Sequence, residues 1–165
     1  MNRNMDLTID FKGGAKVNAQ AIPMQEGYLK LGGIAGENIE FGVVVSAHPD
    51  TPDVFKKGSV IGTVVRGISV FDDAIAQNAP AHNGTYLESL PCAAINHGFL
   101  WLSGWTKTAP GAIEPSIGCK VIFKNDTGAI EFLSSNDSVP PDCTELKGAS
   151  VRGVDVDNGA LLYLE

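Results

Sequence analysis

Residues 39–71 read IEFGVVVSAHPDTPDVFKKGSVIGTVVRGISVF, and this stretch decides the fold class. Valine and isoleucine are dense on both sides of a polar centre, and their branched side chains pack well on a pleated sheet. The centre, at residues 48–52, holds two prolines and is typical of a turn or loop. The stretch therefore predicts one strand over residues 39–46 and another over residues 59–66, with extended chain continuing over residues 68–71.

Turn signals between apolar runs predict two hairpins further along the chain. Asn-His-Gly at residues 96–98 lies between Ile95 and Phe99 and predicts the first hairpin. Asn-Asp-Thr-Gly at residues 125–128 lies between two further apolar runs and predicts the second. The last apolar run, residues 160–164, is expected to pair into a sheet.

One short segment, residues 72–78, is the best candidate for a helix. Asp72 or Asp73 could cap its first turn, and Pro80 would stop it. Elsewhere no 3.6-residue apolar period extends over about ten residues. About nine to eleven short strands, separated by turns, therefore predict an all-β fold with one short helix, either a β-barrel or a β-sandwich.

The N-terminal residues differ from the rest of the chain. They are rich in Asn and Gln, and only Leu7, Ile9 and Phe11 alternate with polar residues as a strand requires. We predict an extended N-terminal arm over residues 1–25 and a single β domain over residues 26–165. An ordinary edge strand followed by a loop is the alternative reading of the arm.

Two segments of the sequence echo each other. Residues 64–70 read VVRGISV and residues 150–156 read SVRGVDV, so both contain Val-Arg-Gly followed by an apolar residue. A structural echo and chance similarity between two β-rich stretches are both open explanations.

The charge pattern disfavours two classes of partner. The chain has 12 Lys and Arg against 19 Asp and Glu, for a net charge of −7, and the basic residues do not cluster as nucleic-acid binding requires. The longest near-apolar run, residues 90–105, is interrupted by Pro91, Asn96 and Gly104, unlike a membrane span. The N-terminus has no apolar signal segment. We expect a protein that is made in a cytoplasm and binds neither nucleic acid nor membrane.

The sequence contains no local motif for catalysis, cofactor binding or metal binding. Each histidine lies beside a turn residue without a second ligand at metal-binding spacing, and the three cysteines form no C-x-x-C pair. Neither a nucleophile elbow nor a phosphate-binding loop is present. We predict no catalytic, cofactor or metal residues and a protein that is not an enzyme, although residues distant in sequence could still assemble a small β-barrel active site. The three histidines are His48, His82 and His97, and the three cysteines are Cys92, Cys119 and Cys143.

Two tryptophans lie four residues apart in an apolar run. Trp101 and Trp105 would share one face of a regular strand and, with Phe99, could form an aromatic platform for a sugar. Burial in the core or against a neighbouring subunit is the alternative reading.

Three apolar motifs follow one another within residues 27–105: FGVVV at 41–45, GTVVRGI at 62–68 and GFLWL at 98–102. Their order resembles that of tailed-phage capsid cement proteins, also called head-decoration proteins. The resemblance implies a non-enzymatic virion protein that is assembled in the host cytoplasm. It would bind the outer surface of the phage capsid and stabilise contacts between major capsid subunits.

The resemblance also implies partners and a binding segment. The partners would be the major capsid protein and further copies of this chain, in a dimer or trimer. Leu7, Ile9 and Phe11 of the arm would contact the capsid by adding a strand to an exposed sheet edge. The alternative function is that of a carbohydrate-binding β-sandwich module of a phage adhesin, which would use Trp101 or Trp105.

Overall fold

The computed structural model describes residues 21–23, 29–72, 84–157 and 159–165. These residues form thirteen β-strands and no helix, so the predicted all-β class is confirmed. Except for Asp72, the predicted helix lies outside the described residues. The strands are β1 (Ala21–Pro23), β2 (Leu29–Ala35), β3 (Ile39–Glu40), β4 (Val44–Ala47), β5 (Val54–Lys57), β6 (Val64–Ser69), β7 (Thr85–Tyr86), β8 (Pro91–Leu102), β9 (Lys120–Lys124), β10 (Ile130–Leu133), β11 (Cys143–Glu145), β12 (Ala149–Asp155) and β13 (Gly159–Leu164).

Five of these strands close into a barrel. The order around it is β8, β2, β5, β4 and β6, and β6 pairs with β8 again to complete the ring. The pair β2–β5 is parallel, and the other four pairs are antiparallel. The sequence left open whether the fold is a barrel or a sandwich. The structure is a closed barrel with additional strands.

Strand β8 is the longest element and belongs to two parts of the sheet. Its first half lies in the barrel between β2 and β6. Its second half lies between β1 and β13, and β12 adds to the outer edge of β13. The predicted hairpin at residues 96–98 is therefore wrong, because the chain continues straight through the Asn-His-Gly signal. Pairing with strands distant in sequence holds this segment extended, and a β-bulge at Asn96 and a φ of 102° at Gly98 absorb the irregularity.

The second predicted hairpin is confirmed. Strands β9 and β10 pair around the turn at residues 125–128, and β11 joins β9 to make a three-stranded sheet. Val121 and Phe123 on one face of this sheet pack into the main core, while Ile122 on the other face packs against Ala109. The final strand, β13, pairs into the main sheet as expected.

The remaining strand predictions need correction in their boundaries. The run predicted as one strand over residues 39–46 is interrupted at Phe41-Gly42, where Gly42 has a φ of 80°, so β3 and β4 pair with different partners. The strand predicted from residue 59 begins at Val64, because residues 60–63 form a turn. Strand β5 was not predicted, since it directly follows the turn residues of the loop and ends in a Lys-Lys pair.

The core contains closely packed aromatic rings. Phe41 contacts Tyr86 at 4.9 Å and Phe71 at 5.8 Å between ring centroids, both in edge-on geometry. The Tyr86 hydroxyl donates a 2.6 Å hydrogen bond to the Val70 carbonyl oxygen, so its polar end is satisfied although the residue is buried. Burial raises the pKa of Tyr86, with a smaller contribution from the nearby Asp72 carboxylate.

The described part of the predicted arm is strand β1, which pairs with β8 from Leu100 to Leu102. The candidate capsid-contact residues Leu7, Ile9 and Phe11 lie outside the described residues.

Candidate functional site

Residues 60–64 form an exposed apolar turn, called here the apolar loop. The Thr63 backbone N–H and its hydroxyl both donate to the Val60 carbonyl oxygen, at 3.1 and 2.8 Å. Gly62 has a φ of 87°, which lets the chain turn sharply after Ile61. The Ile61 side chain is fully exposed, and Val60 and Val64 are 61% and 55% exposed. The hydrogen bonds fix the turn, so these side chains are held in water by a preformed structure.

The outer face of β8 and β13 carries a cluster of rings, called here the aromatic face. Alternation along β8 places Phe99 and Trp101 on this side, and the strand register sets Tyr163 opposite Phe99 and Leu161 opposite Trp101. The Phe99 and Tyr163 ring centroids are 4.8 Å apart. The Arg152 guanidinium lies 5.3 Å above the Tyr163 ring, within cation–π range.

Trp105 lies beyond the end of β8, the strand that contains Trp101. Strand β8 ends at Leu102, so the four-residue spacing no longer sets the face. The Trp105 ring packs edge-on against the core residue Phe132 at 6.0 Å, and its indole N–H donates a 3.0 Å bond to Glu114. The predicted platform therefore keeps Phe99 and Trp101, while Trp105 packs partly into the core.

A cavity of about 400 Å³ opens where β8 changes partners, and it is called here the notch. On the same edge of β8, residues 94–95 pair with β6 and residues 98–102 pair with β13. The notch lies between these two pairings. It is lined by Val65, Arg66, Gly67, Asn96, Glu145, Leu146, Lys147, Gly148, Leu164 and Glu165.

Two residues of the notch occupy β-bulges. The β4–β6 register passes from Gly67 to Val65 and skips Arg66, while the β2–β8 register passes from Ile95 to His97 and skips Asn96. The Arg66 Nε and Asn96 Oδ1 atoms are buried and have no hydrogen-bond partner among the described residues. An unpaired polar atom of this kind costs about 1–3 kcal/mol, and native proteins contain few of them. Both unpartnered atoms therefore belong to residues that line the notch.

A buried carboxylate organises the irregular segment that follows β8. Glu131 on β10 accepts hydrogen bonds from the hydroxyl groups of Thr106 and Thr108 and from the backbone N–H groups of Thr108 and Ala109, at 2.6 to 2.9 Å. Burial alone would raise the pKa of Glu131, but these hydrogen bonds outweigh it and hold the pKa below its ordinary value.

A second cavity, of about 670 Å³, lies beside this segment. Several of its polar side chains are already bound to protein groups. Thr106 and Thr108 donate to Glu131, and Lys124 pairs with Asp142 at 2.6 Å.

The histidines and cysteines show no common site among the described residues. His48 is exposed and accepts a bond from the Asp50 backbone N–H, and His97 lies on β8 rather than in a turn. His82 lies outside the described residues. Burial raises the pKa of Cys92 to about 12 and that of Cys143 to about 11, so both thiols stay protonated at neutral pH.

Two further features are absent from the described ranges. No group of three or more His, Cys, Asp or Glu side chains there is placed to hold a metal ion. No helix there is long and apolar enough to cross a membrane.

One residue of the notch, Arg66, belongs to the Val-Arg-Gly echo seen in the sequence, although no sequence motif indicated a site there. Arg66 and Arg152 are the arginines of the two Val-Arg-Gly segments, and each is the extra residue of a β-bulge. The two segments therefore share a local backbone irregularity as well as a sequence pattern. Asn96 was assigned to a turn, and no pattern in the sequence joins it to Arg66.

Comparisons of this chain with protein-family models and with curated proteins each returned no match.

Proposed function

We propose that this protein is a cement protein of a tailed-phage capsid and that it attaches to the shell through the apolar loop. The observation that carries the proposal is the fully exposed Ile61 at the tip of a hydrogen-bonded turn. Exposed apolar side chains grouped on a rigid element are typical of protein-binding surfaces. The proposed partner is the major capsid protein, because the order of the three sequence motifs resembles that of capsid cement proteins.

The proposed attachment is weak at each site and strong over the whole shell. Burying apolar surface contributes about 25 cal/mol per Å², so three small side chains supply only a few kcal/mol at one site. A capsid presents the same site many times, and a homodimer or homotrimer of this chain would engage two or three sites at once. Linked binding events of this kind raise the overall affinity without any new contact.

The test replaces the tip of the apolar loop with a charge. Ile61→Asp should leave the free energy of unfolding within about 0.5 kcal/mol of the wild-type value, because the side chain is already in water. The same substitution should weaken co-sedimentation with expanded empty capsids at least about tenfold, because a charge would be buried in an apolar contact.

Ile117→Asp is the matched control, since Ile117 is also exposed at a turn but belongs to a different part of the fold. It should bind capsids as the wild type does. Wild-type binding by Ile61→Asp would exclude the apolar loop as the attachment site. Equal loss of binding in both variants would show a nonspecific effect of charge and would also count against the loop.

The aromatic face supports a second candidate function, a carbohydrate-binding module of a phage adhesin. Phe99, Trp101 and Tyr163 lie side by side on an outer sheet surface, where flat rings can stack on a sugar. A glycan screen followed by Trp101→Ala tests this function. A hit that depends on Trp101, together with no binding to capsids, would favour the adhesin over the cement protein.

A further inference from the structure

We propose that the notch binds an extended peptide segment through one of its main-chain amide groups. The starting point is the pair of unpartnered atoms, Arg66 Nε and Asn96 Oδ1, which belong to two residues that line one cavity. No other buried side-chain N or O atom of the described residues lacks a hydrogen-bond partner.

The chemistry of the two atoms selects the ligand group. The Arg66 Nε–H is a donor and needs an acceptor, while Asn96 Oδ1 is an acceptor and needs a donor. A peptide group provides both, through its carbonyl oxygen and its N–H. A carboxylate provides only acceptors and an ammonium group only donors, so either would leave one of the two atoms unpaired.

The charge of the notch also favours a neutral ligand. Arg66 and Lys147 contribute two positive charges to the lining, and Glu145 and Glu165 contribute two negative charges. The side chains of the lining therefore carry no net charge to attract an ion of either sign. Val65, Leu146 and Leu164 supply apolar wall for a side chain of the bound segment.

The backbone around the notch suits an extended segment. Strand β6 follows β8 closely up to Gly67, where a side-chain Cβ would overlap the Ile95 carbonyl oxygen. The bulge at Arg66 follows immediately, and the next partner on this edge of β8 begins at Gly98. The edge of β8 between these points is not covered by a strand among the described residues. The gap spans only Asn96 and His97, so an incoming segment could pair with β8 over two residues at most.

The two bulges indicate that Arg66 and Asn96 serve binding rather than stability. Bulges re-aim side chains and are common next to functional sites, and two separate strand pairs here place their extra residues at the same cavity. Less than 1 Å² of either unpartnered atom is exposed to water, so bulk solvent does not satisfy them. Both side chains are only partly buried, and for a ligand in the notch to reach the two atoms these side chains have to turn toward it.

Nuclear magnetic resonance of the full chain tests the proposal directly. The probe is the blocked peptide acetyl-Ser-Val-Ser-Val-Ser-amide, titrated to millimolar concentration. We expect saturable shifts of the Arg66 Nε–H and Asn96 side-chain amide signals. The same peptide with methylated backbone nitrogens has no main-chain donors and should bind at least about tenfold more weakly. Acetate, as an anionic probe, should leave both signals in place.

Three variants separate binding from stability. Arg66→Met and Asn96→Leu should each weaken peptide binding at least about tenfold while leaving the thermal midpoint equal to or above that of the wild type, because each removes an unsatisfied buried atom. Arg152→Met removes the arginine of the other Val-Arg-Gly bulge, which lies outside the notch, and should bind the peptide normally.

Three results would overturn the proposal. The first is the absence of any shift of the Arg66 and Asn96 signals at millimolar peptide. The second is equal binding of the methylated peptide, or stronger binding of acetate, because either would show that the amide donor is not recognised. The third is unchanged peptide binding by Arg66→Met and Asn96→Leu. Each of these results is independent of whether the protein binds capsids.

Discussion

At the scale of single residues, Glu131 is a buried carboxylate whose loss of hydration is offset by hydrogen bonds. No cation contacts its carboxylate among the described residues, yet four hydrogen bonds from the segment after β8 surround it. Hydrogen bonds to a charged group are worth about twice those between neutral groups. Glu131 therefore fixes a segment that has no strand pairing of its own.

Replacing Glu131 with Gln should lower the free energy of unfolding by about 2–4 kcal/mol at neutral pH, because Gln turns an NH₂ group toward backbone donors. The pKa of Glu131 is lower in the folded chain than its ordinary value of 4.5. Its stabilisation is thus complete above pH 4.5 and is lost as the pH falls through the folded-state pKa. The difference in stability between wild type and Glu131→Gln should narrow below pH 4.5, as measured by urea denaturation across the acid range.

Glu114→Gln is the control for this prediction. Glu114 also accepts hydrogen bonds, from Trp105 and Lys107, but its side chain is largely exposed. We expect its unfolding midpoint to match that of the wild type. A difference between wild type and Glu131→Gln that stays constant with pH would show that Glu131 does not act through its charge.

At the scale of elements, two glycines lie where the turn of the three-stranded sheet packs against the barrel. The Val44 backbone N–H donates to the Gly128 carbonyl oxygen, and the Gly58 N–H donates to the Val44 carbonyl oxygen, both at 2.8 Å. A Cβ on Gly128 would overlap the Val44 carbonyl oxygen and lie 2.8 Å from the Gly58 nitrogen. The β9–β10 turn therefore approaches β4 at a distance that only glycine allows.

Gly128→Ala should destabilise the protein by at least about 3 kcal/mol, because it adds a backbone overlap to the strain of a positive φ. Gly118→Ala separates the two effects. Gly118 has a φ of 87°, but a Cβ added there would meet no described atom within 4 Å, so this variant should cost only about 1 kcal/mol. Thermal unfolding of both variants provides the measurement, and equal losses would mean that close packing at Gly128 contributes nothing.

The strands that could be predicted are those whose partners lie nearby in sequence. The hairpin of β9 and β10 was predicted because its turn signal and both apolar runs fit within one local window. The false hairpin at residues 96–98 has equally good local signals. There the partners of β8 decide the outcome, and one of them, β2, lies about sixty residues away along the chain. Local patterns contain no information about such pairings.

The candidate sites show the same limit. The apolar loop lies inside a run that was predicted as a strand, and its exposure depends on where the closed barrel ends. The notch needs Arg66 and Asn96 together, which only the pairing of β6 with β8 achieves. The aromatic face was partly predicted because Phe99 and Trp101 obey the two-residue alternation of a regular strand.

At the scale of the whole molecule, the role of the N-terminal arm is testable by truncation. A deletion of residues 1–20 keeps every described strand, of which β1, beginning at Ala21, is the first. Deleting residues 1–20 should therefore leave a cooperative thermal transition. The truncated chain should no longer bind capsids, because Leu7, Ile9 and Phe11 are the proposed strand addition to the shell.

Replacing Leu7, Ile9 and Phe11 with serine in the full-length chain is the matched variant, since it keeps the arm and removes only its apolar side chains. Both changes should reduce co-sedimentation with empty capsids to the same level. Full capsid binding by the truncated chain would eliminate the arm from the attachment, and the apolar loop would then be the sole proposed contact.

The position of β8 in the chain also governs how the protein can be made. The barrel strands β2, β4, β5 and β6 all lie before residue 70, but the ring closes only when β8 pairs with β2 and β6. A ribosome adds roughly 5–20 residues per second, so the edges of β2 and β6 wait on the order of a second or more for β8 to emerge. Unpaired strand edges invite association with neighbouring chains. The yield of folded protein should therefore depend on how fast residues 70–102 are translated, and slow codons in that interval should favour aggregation over closure.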